Sequence, residues 1–330
     1  MEFTAKTTMK ELGETPEFAP MRNAFVGTTG DWRNVFKDEW TFEDITKNSP
    51  TWYYGDILFG VRRLYEVAKS GKDYVIPLYS EAEMEADPAR RKVRLICHPA
   101  PSPRSDRYAL LLSGGGYSAV CTLAESMPVA ARLNELGITA FSLNYQTATE
   151  AHMVTGLMPK PLEDVAKAVG LLEDRFHIDT EKLIVGGFSA GGHLAGLWGA
   201  HYADYGCKKP SMLMLDYPLI TYENYPEGIG SMLLAGLLGQ GALQDAEKAH
   251  TMSVHRLVTE AFPKTYVVTA LDDNTVPPQD SRDLEQALQK AGVPHLVERV
   301  ASGGHGFGLG SVTPAAGWVD RAIAFAEEDL

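Results

Sequence analysis

Cysteine is scarce in this chain: Cys97, Cys121 and Cys207 are its three in 330 residues. They are too few and too scattered for a disulfide framework, and none falls in a C-x-x-C or a Cys/His metal spacing. Positive charge is also in short supply, with 30 Lys and Arg against 43 Asp and Glu and a formal net charge of −13. That balance excludes nucleic acid or an anionic membrane as the main partner, because phosphate binding needs concentrated positive charge. The one dense basic run, Arg90-Arg91-Lys92, reads as a solvated turn. No apolar run approaches the length of a membrane span. The N-terminal MEFTAKTTMKELGETPEF has neither a hydrophobic stretch nor a cleavage-like site. These absences lead us to expect a soluble, cytoplasmic protein.

What remains is an ordinary globular composition, 45% hydrophobic and 22% charged, long enough for one large α/β domain or two smaller ones. Residues 1–90 read differently from the rest. They hold one clear amphipathic helix, GDILFGVRRLYEVAKSG, with Ile57, Leu58, Val61, Leu64, Tyr65 and Ala68 at helical spacing. This segment is expected to be an extension that packs on the main domain and covers its site. Residues 91–330 form the main unit.

There a strand–helix alternation begins. Strands are expected at KVRLICH, YALLLS, ITAFSL, KLIV, SMLMLDY, KTYVVTA and HLVERV. Helices are expected from about Ala119 to Leu136, at LEDVAKAVGLLEDRF, at HLAGLWGAHYA and at DSRDLEQALQKAG. A last helix is expected to start with Thr313 as its cap and Pro314 at its first position. This order implies a mainly parallel sheet covered by helices on both faces. The alternation breaks at about 218–262, where the Gly/Leu-rich EGIGSMLLAGLLGQGAL reads as a cap-like insertion over a pocket, with a plain surface helix pair as the alternative.

The stretch LIVGGFSAGGHLAG, residues 183–196, carries the chemistry. A G-x-S-x-G match is weak alone, but here a strand precedes it and a helix follows. The glycines allow a sharp turn without Cβ clashes. Ser189 then stands at a helix N-terminus, where backbone N–H groups favour developing negative charge. A serine at its free pKa is a poor nucleophile and needs a base, itself held by an acid. His305, in SGGHGFG after the last strand, and Asp273, in TALDDNTVPP after another, supply both in the order Ser, Asp, His. Asp272 is an alternative to Asp273, disfavoured by the spacing to Val276-Pro277. Asp216 reads as structural or pocket-lining, and Asp164 as a helix-start residue. His193, one helical turn past Ser189, reads as packing beneath the turn.

The run LLLSGGGY lets backbone approach a substrate closely. The amides of Gly115 and Gly116, with that of Ala190, would form an oxyanion hole. A dinucleotide site is excluded, since SGGGYS is not G-x-G-x-x-G. Tyr117 and Phe188 flank these motifs as expected pocket residues, with core filling as the alternative for Tyr117.

The motifs S-G-G-G-Y, G-F-S-A-G-G-H, A-L-D-D-N-T-V-P and G-G-H-G-F-G resemble those of the α/β-hydrolase superfamily, in its acetyl-esterase and hormone-sensitive-lipase-like group. The resemblance covers about residues 90–330. One departure is Ser113, where many members have His before the glycines. The resemblance implies an α/β-hydrolase fold, with Ser189 as nucleophile, His305 as base, Asp273 as its orienting acid, and no metal or organic cofactor. It implies short-chain acyl esters as substrates, carbohydrate esters among them. A serine peptidase or an acyltransferase could use the same triad, and a silent binding protein would normally lack one member of it. The expected partner is a small-molecule ester, with homo-oligomerisation left open.

Overall fold

The runs at 108–112, 183–188, 212–216 and 265–270 are apolar at both odd and even positions, as strands covered on both faces must be. In the computed structural model, which describes residues 2–27, 35–103, 106–226 and 228–328, they form the centre of one sheet. Its strands are β1 (Val75–Pro77), β2 (Arg94–His98), β3 (Tyr108–Leu112), β4 (Thr139–Asn144), β5 (Leu183–Phe188), β6 (Met212–Asp216), β7 (Thr265–Ala270) and β8 (His295–Val300). The order is β1-β2-β4-β3-β5-β6-β7-β8. β1 and β2, and β2 and β4, pair antiparallel, and the remaining neighbours pair parallel.

Side-chain alternation splits these strands between two cores. Leu110, Leu112, Val185, Leu213 and Leu215 face one side, with Leu194 and Trp198 of the helix Ala190–His201. Ala109, Leu111, Ile184, Phe188 and Met214 face the other, with Val129 and Leu133 of the helix Ser126–Glu135 and Trp318 of the helix Trp318–Glu327. The chain leaves β3 toward β4 and leaves β5 toward β6, on opposite sides. A crevice therefore opens between the carboxyl ends of β3 and β5, where open α/β sheets bind ligands.

The structure departs from the sequence reading in three places. The helix expected from Ala119 begins at Ser126. The residues before it pair with the N-terminal segment instead: Val120 bridges Gly27, and the Leu123 amide donates to Phe25. The last helix begins at Trp318 after a left-handed Gly317, and Thr313 serves a local turn, its hydroxyl accepting the Ala315 amide and its carbonyl the Ala316 amide. The N-terminal segment also supplies a strand, β1, too short at three residues to show periodicity.

The described part of residues 1–90 shares the main core. Phe3, Phe18, Phe25 and Leu64 are buried in one cluster with Met127 and Leu143. The amphipathic helix, Tyr54–Ala68, buries every apolar position named above. Residues 28–34 of that segment, and Glu227 at the start of the Gly/Leu-rich stretch, lie outside the described residues. The described part of that stretch folds as the helix Ile229–Leu238 followed by the 3-10 helix Gln240–Gln244. Among the described residues, no helix is long and apolar enough to cross a membrane.

Candidate active site

Four loops at the carboxyl edge of the sheet build the site. The first is the turn after β5. Ser189 has φ 51 and ψ −120, a conformation that costs a non-glycine residue about 1–3 kcal/mol. Its amide donates to Asp216 O, and its carbonyl accepts from Leu219 and His193. The turn closes this tightly because a Cβ on Gly191 would lie 1.9 Å from Leu112 O. Packing holds the strained serine where it is.

His305, on the loop after β8, places Nε2 2.8 Å from Ser189 Oγ. Its Nδ1 lies 2.7 Å from Asp273 Oδ2. The other oxygen of Asp273 accepts the amides of Thr275 and Val276 at 2.8 and 2.9 Å. The Asp273 side chain is fully buried, while His305 keeps 16% of its surface open. Three side chains from three strand ends thus form one hydrogen-bonded chain. A base can draw the Ser189 proton along it while a buried carboxylate faces the imidazole.

The other candidates take different places. Asp272 accepts the Gly304 amide at 2.8 Å and so fastens the His305 loop. His193 is buried, with Nδ1 against the Tyr117 hydroxyl (2.8 Å) and Nε2 against Met252 O (2.7 Å). Burial pulls its pKa down to about 4, so it stays neutral. Asp164 is buried in the helix Lys160–Phe176, where it accepts from Tyr79, the Gln146 amide and the Gln146 side chain. Asp216 is buried and, among the described residues, neither of its oxygens has a hydrogen-bond partner; burial holds its carboxyl well above the usual range.

The glycine run after β3 turns through left-handed backbone at Gly115 (φ 128) and Gly116 (φ 60). A Cβ on Gly115 would sit 2.4 Å from Ala119 O. Among the described residues, no acceptor takes the amides of Gly115, Gly116 or Ala190. They border the same cavity as Ser189 and His305. Ser113, ahead of the glycines, is buried; its hydroxyl accepts the Ser126 amide.

That cavity measures about 640 Å³ and is walled mainly by apolar and aromatic side chains. Tyr117 lines it, and so do Tyr222, Tyr225, Ile229, Leu233 and Leu237 from the 218–262 segment. Phe188 does not. It lies on the opposite face of the sheet, 6.5 Å from the Trp318 ring, because strand parity sends it there with Ile184. The sequence reading missed Thr51 and Trp52, which line the cavity from the N-terminal segment. Nothing local to them marks that role. It also missed Glu125, a cavity-lining carboxyl that is the one charged residue between Arg107 and Arg132, a legible signal in an apolar stretch.

The N-terminal segment touches the His305 loop again through Asp56, at the start of the helix Tyr54–Ala68. Its carboxylate accepts from the Ser311 amide at 3.2 Å and from the Ser311 hydroxyl. Burial pushes the Asp56 carboxyl up to about 6.

Comparison with known proteins agrees with this architecture. A family model described as alpha/beta hydrolase fold matches residues 110–309. Endo-1,4-beta-xylanase B of Butyrivibrio fibrisolvens is 28% identical over 221 residues, 63% of this chain and 34% of that protein. Acetylxylan esterase of Xylanibacter ruminicola is 27% identical over 225 residues, 67% of this chain and 45% of that protein. The chain thus spans less than half the length of these two relatives. Among solved structures, an acetyl ester-xyloside bifunctional hydrolase from Caldicellulosiruptor lactoaceticus superposes with a TM-score of 0.63 at 30% identity, covering 76% of this chain and 96% of that one. The chain belongs to the alpha/beta hydrolase family.

Proposed function

We propose that the protein is a serine carboxylesterase that cleaves short-chain, acetyl-type esters, with carbohydrate as the alcohol. The observation that carries this reading is the continuous chain Asp273–His305–Ser189, ending at a cavity bordered by uncommitted amides. His305 Nε2 takes the Ser189 proton as Oγ attacks the ester carbonyl. The amides of Gly115, Gly116 and Ala190 receive the charge on the carbonyl oxygen. The intermediate collapses, and Nε2 returns the proton to the departing alcohol. Water, deprotonated by the same nitrogen, then attacks the acyl-serine and releases the acid.

The substrate class rests on the related proteins, an acetylxylan esterase and an acetyl ester-xyloside hydrolase. The aromatic walls accord with it, since rings of Tyr222 and Tyr225 offer flat apolar faces beside the nucleophile. In this reading residues 91–330 are the catalytic unit, and residues 1–90 and 218–262 shape its entrance through Trp52 and the helix Ile229–Leu238. The free cysteines accord with a reducing, cytoplasmic setting.

Hydrolysis of p-nitrophenyl esters from acetate to decanoate tests the reading. Turnover is expected to be fastest on acetate or butyrate and to fall by at least about 10³-fold in Ser189→Ala. A folded protein that cleaves none of these esters would overturn it.

A further inference from the structure

Among the described residues, one carboxyl lines the cavity, that of Glu125. It is buried at the end of the irregular segment before the helix Ser126–Glu135. Its Oε2 accepts the Gly114 amide, and its Oε1 accepts the Tyr217 hydroxyl at 3.2 Å. Tyr217 in turn accepts the Gly308 amide at 3.1 Å and sets its ring edge-on to the His305 ring, with centroids 4.9 Å apart. One carboxyl is therefore bonded on one side to the glycine loop and on the other, through a single phenol, to the His305 loop.

We infer that Glu125 is a positioning residue that fixes the oxyanion amides of the Gly114–Gly116 loop relative to the imidazole of His305. The inference rests on the serine-esterase reading. No side chain could hold the glycine loop from position 114, because a Cβ there would lie 2.7 Å from Ser189 Cβ. Its amide is the handle left, and a carboxylate is the stronger acceptor for it. Tyr217 has φ 36, backbone that a bulky residue adopts only when its surroundings enforce it. The two bonds to its hydroxyl help to do so.

Charge follows the same geometry. Cys121 from the preceding turn, Tyr145 beyond β4, Asp216 and Tyr217 at the end of β6, and His305 all face Glu125 electrostatically. Burial pushes the Glu125 carboxyl up to about 7, while the Gly114 amide and His305 pull it down. Ionised, it faces an imidazole that gains charge during each acyl transfer.

Two variants separate positioning from packing: Glu125→Leu keeps the bulk and loses both bonds, while Glu125→Gln keeps an acceptor for Gly114 and a donor for Tyr217. Steady-state kinetics on p-nitrophenyl acetate from pH 5 to 9 are read with the rate of Ser189 phosphonylation by a p-nitrophenyl phosphonate. We expect Glu125→Leu to lower kcat and phosphonylation by about 10²-fold, with KM changed by less than about threefold. Glu125→Gln is expected to recover most of that loss. A folded Glu125→Leu with wild-type kcat and phosphonylation overturns the inference. Should the leucine variant fail to fold, Tyr217→Phe, which removes only the hydroxyl between Glu125 and the Gly308 amide, decides the matter: it should lower kcat and phosphonylation with KM nearly unchanged, and wild-type rates there overturn the inference. Silence of every form toward carboxyl esters counts against the esterase reading instead, and the phosphonylation rates still judge Glu125.

Discussion

Asp273 holds His305 through an Oδ2 to Nδ1 contact of 2.7 Å. Asp272, its neighbour in sequence, reaches the same loop only at the Gly304 amide. The two adjacent carboxylates should therefore respond differently to amide substitution. Asp273→Asn leaves a group that can face Nδ1 as a donor, which favours the wrong imidazole tautomer, and kcat should fall by about 10⁴-fold. Asp272→Asn keeps an acceptor for Gly304, and its loss should stay below about tenfold. Kinetics on p-nitrophenyl acetate check both, and equal losses would contradict the assignment.

Gly191 is the tightest position of the serine turn. In Gly191→Ala the new methyl would meet Leu112 O at 1.9 Å, so strand and helix must part. Overpacking of this kind costs about 1–3 kcal/mol or more. A lower thermal midpoint together with lost esterase activity is expected, whereas Gly170→Ala, inside the helix Lys160–Phe176 with nothing within 4 Å of its Cβ, should keep activity and raise the midpoint slightly, by about 0.5–1 kcal/mol of stability. Thermal melts and turnover of the two variants decide it.

Asp216 is buried with no hydrogen-bond partner for either oxygen among the described residues, and its pKa is raised first by burial and then by Glu125 and Asp273. A carboxyl whose pKa is higher folded than unfolded contributes its full stability below the unfolded value of 3.8 and loses it as pH rises. Asp216→Asn does not titrate. Its stability relative to wild type should therefore rise with pH above about 4, by up to about 1.4 kcal/mol per pH unit. Urea midpoints at pH 5, 6.5 and 8 measure the trend, and parallel curves would contradict it.

The sheet was legible because its central strands are apolar on both faces, and their ends carry Ser189, Asp273 and His305 in motifs set by turn chemistry. Boundaries set by distant pairing were not. Residues 119–125 have helix-compatible composition, yet Val120 pairs with Gly27, far away in the chain. Thr313-Pro314 has the chemistry of a helix start, but the chain spends it on a turn and begins the helix after Gly317. Phe188 could have been placed correctly: Ile184 and Phe188 share a parity, and both sit in the core away from the cavity. Trp52 could not, because only the folded N-terminal segment brings it to the His305 loop, where its Nε1 would lie 3.2 Å from a Cβ on Gly306.

If Ser189 is the nucleophile, a covalent trap must land on it. The protein is treated with a p-nitrophenyl phosphonate, and the intact mass and peptide masses are measured. A single adduct is expected on the peptide containing Ser189, absent from Ser189→Ala and strongly slowed in His305→Ala. An adduct on another residue, or ester hydrolysis that survives in Ser189→Ala, would contradict it.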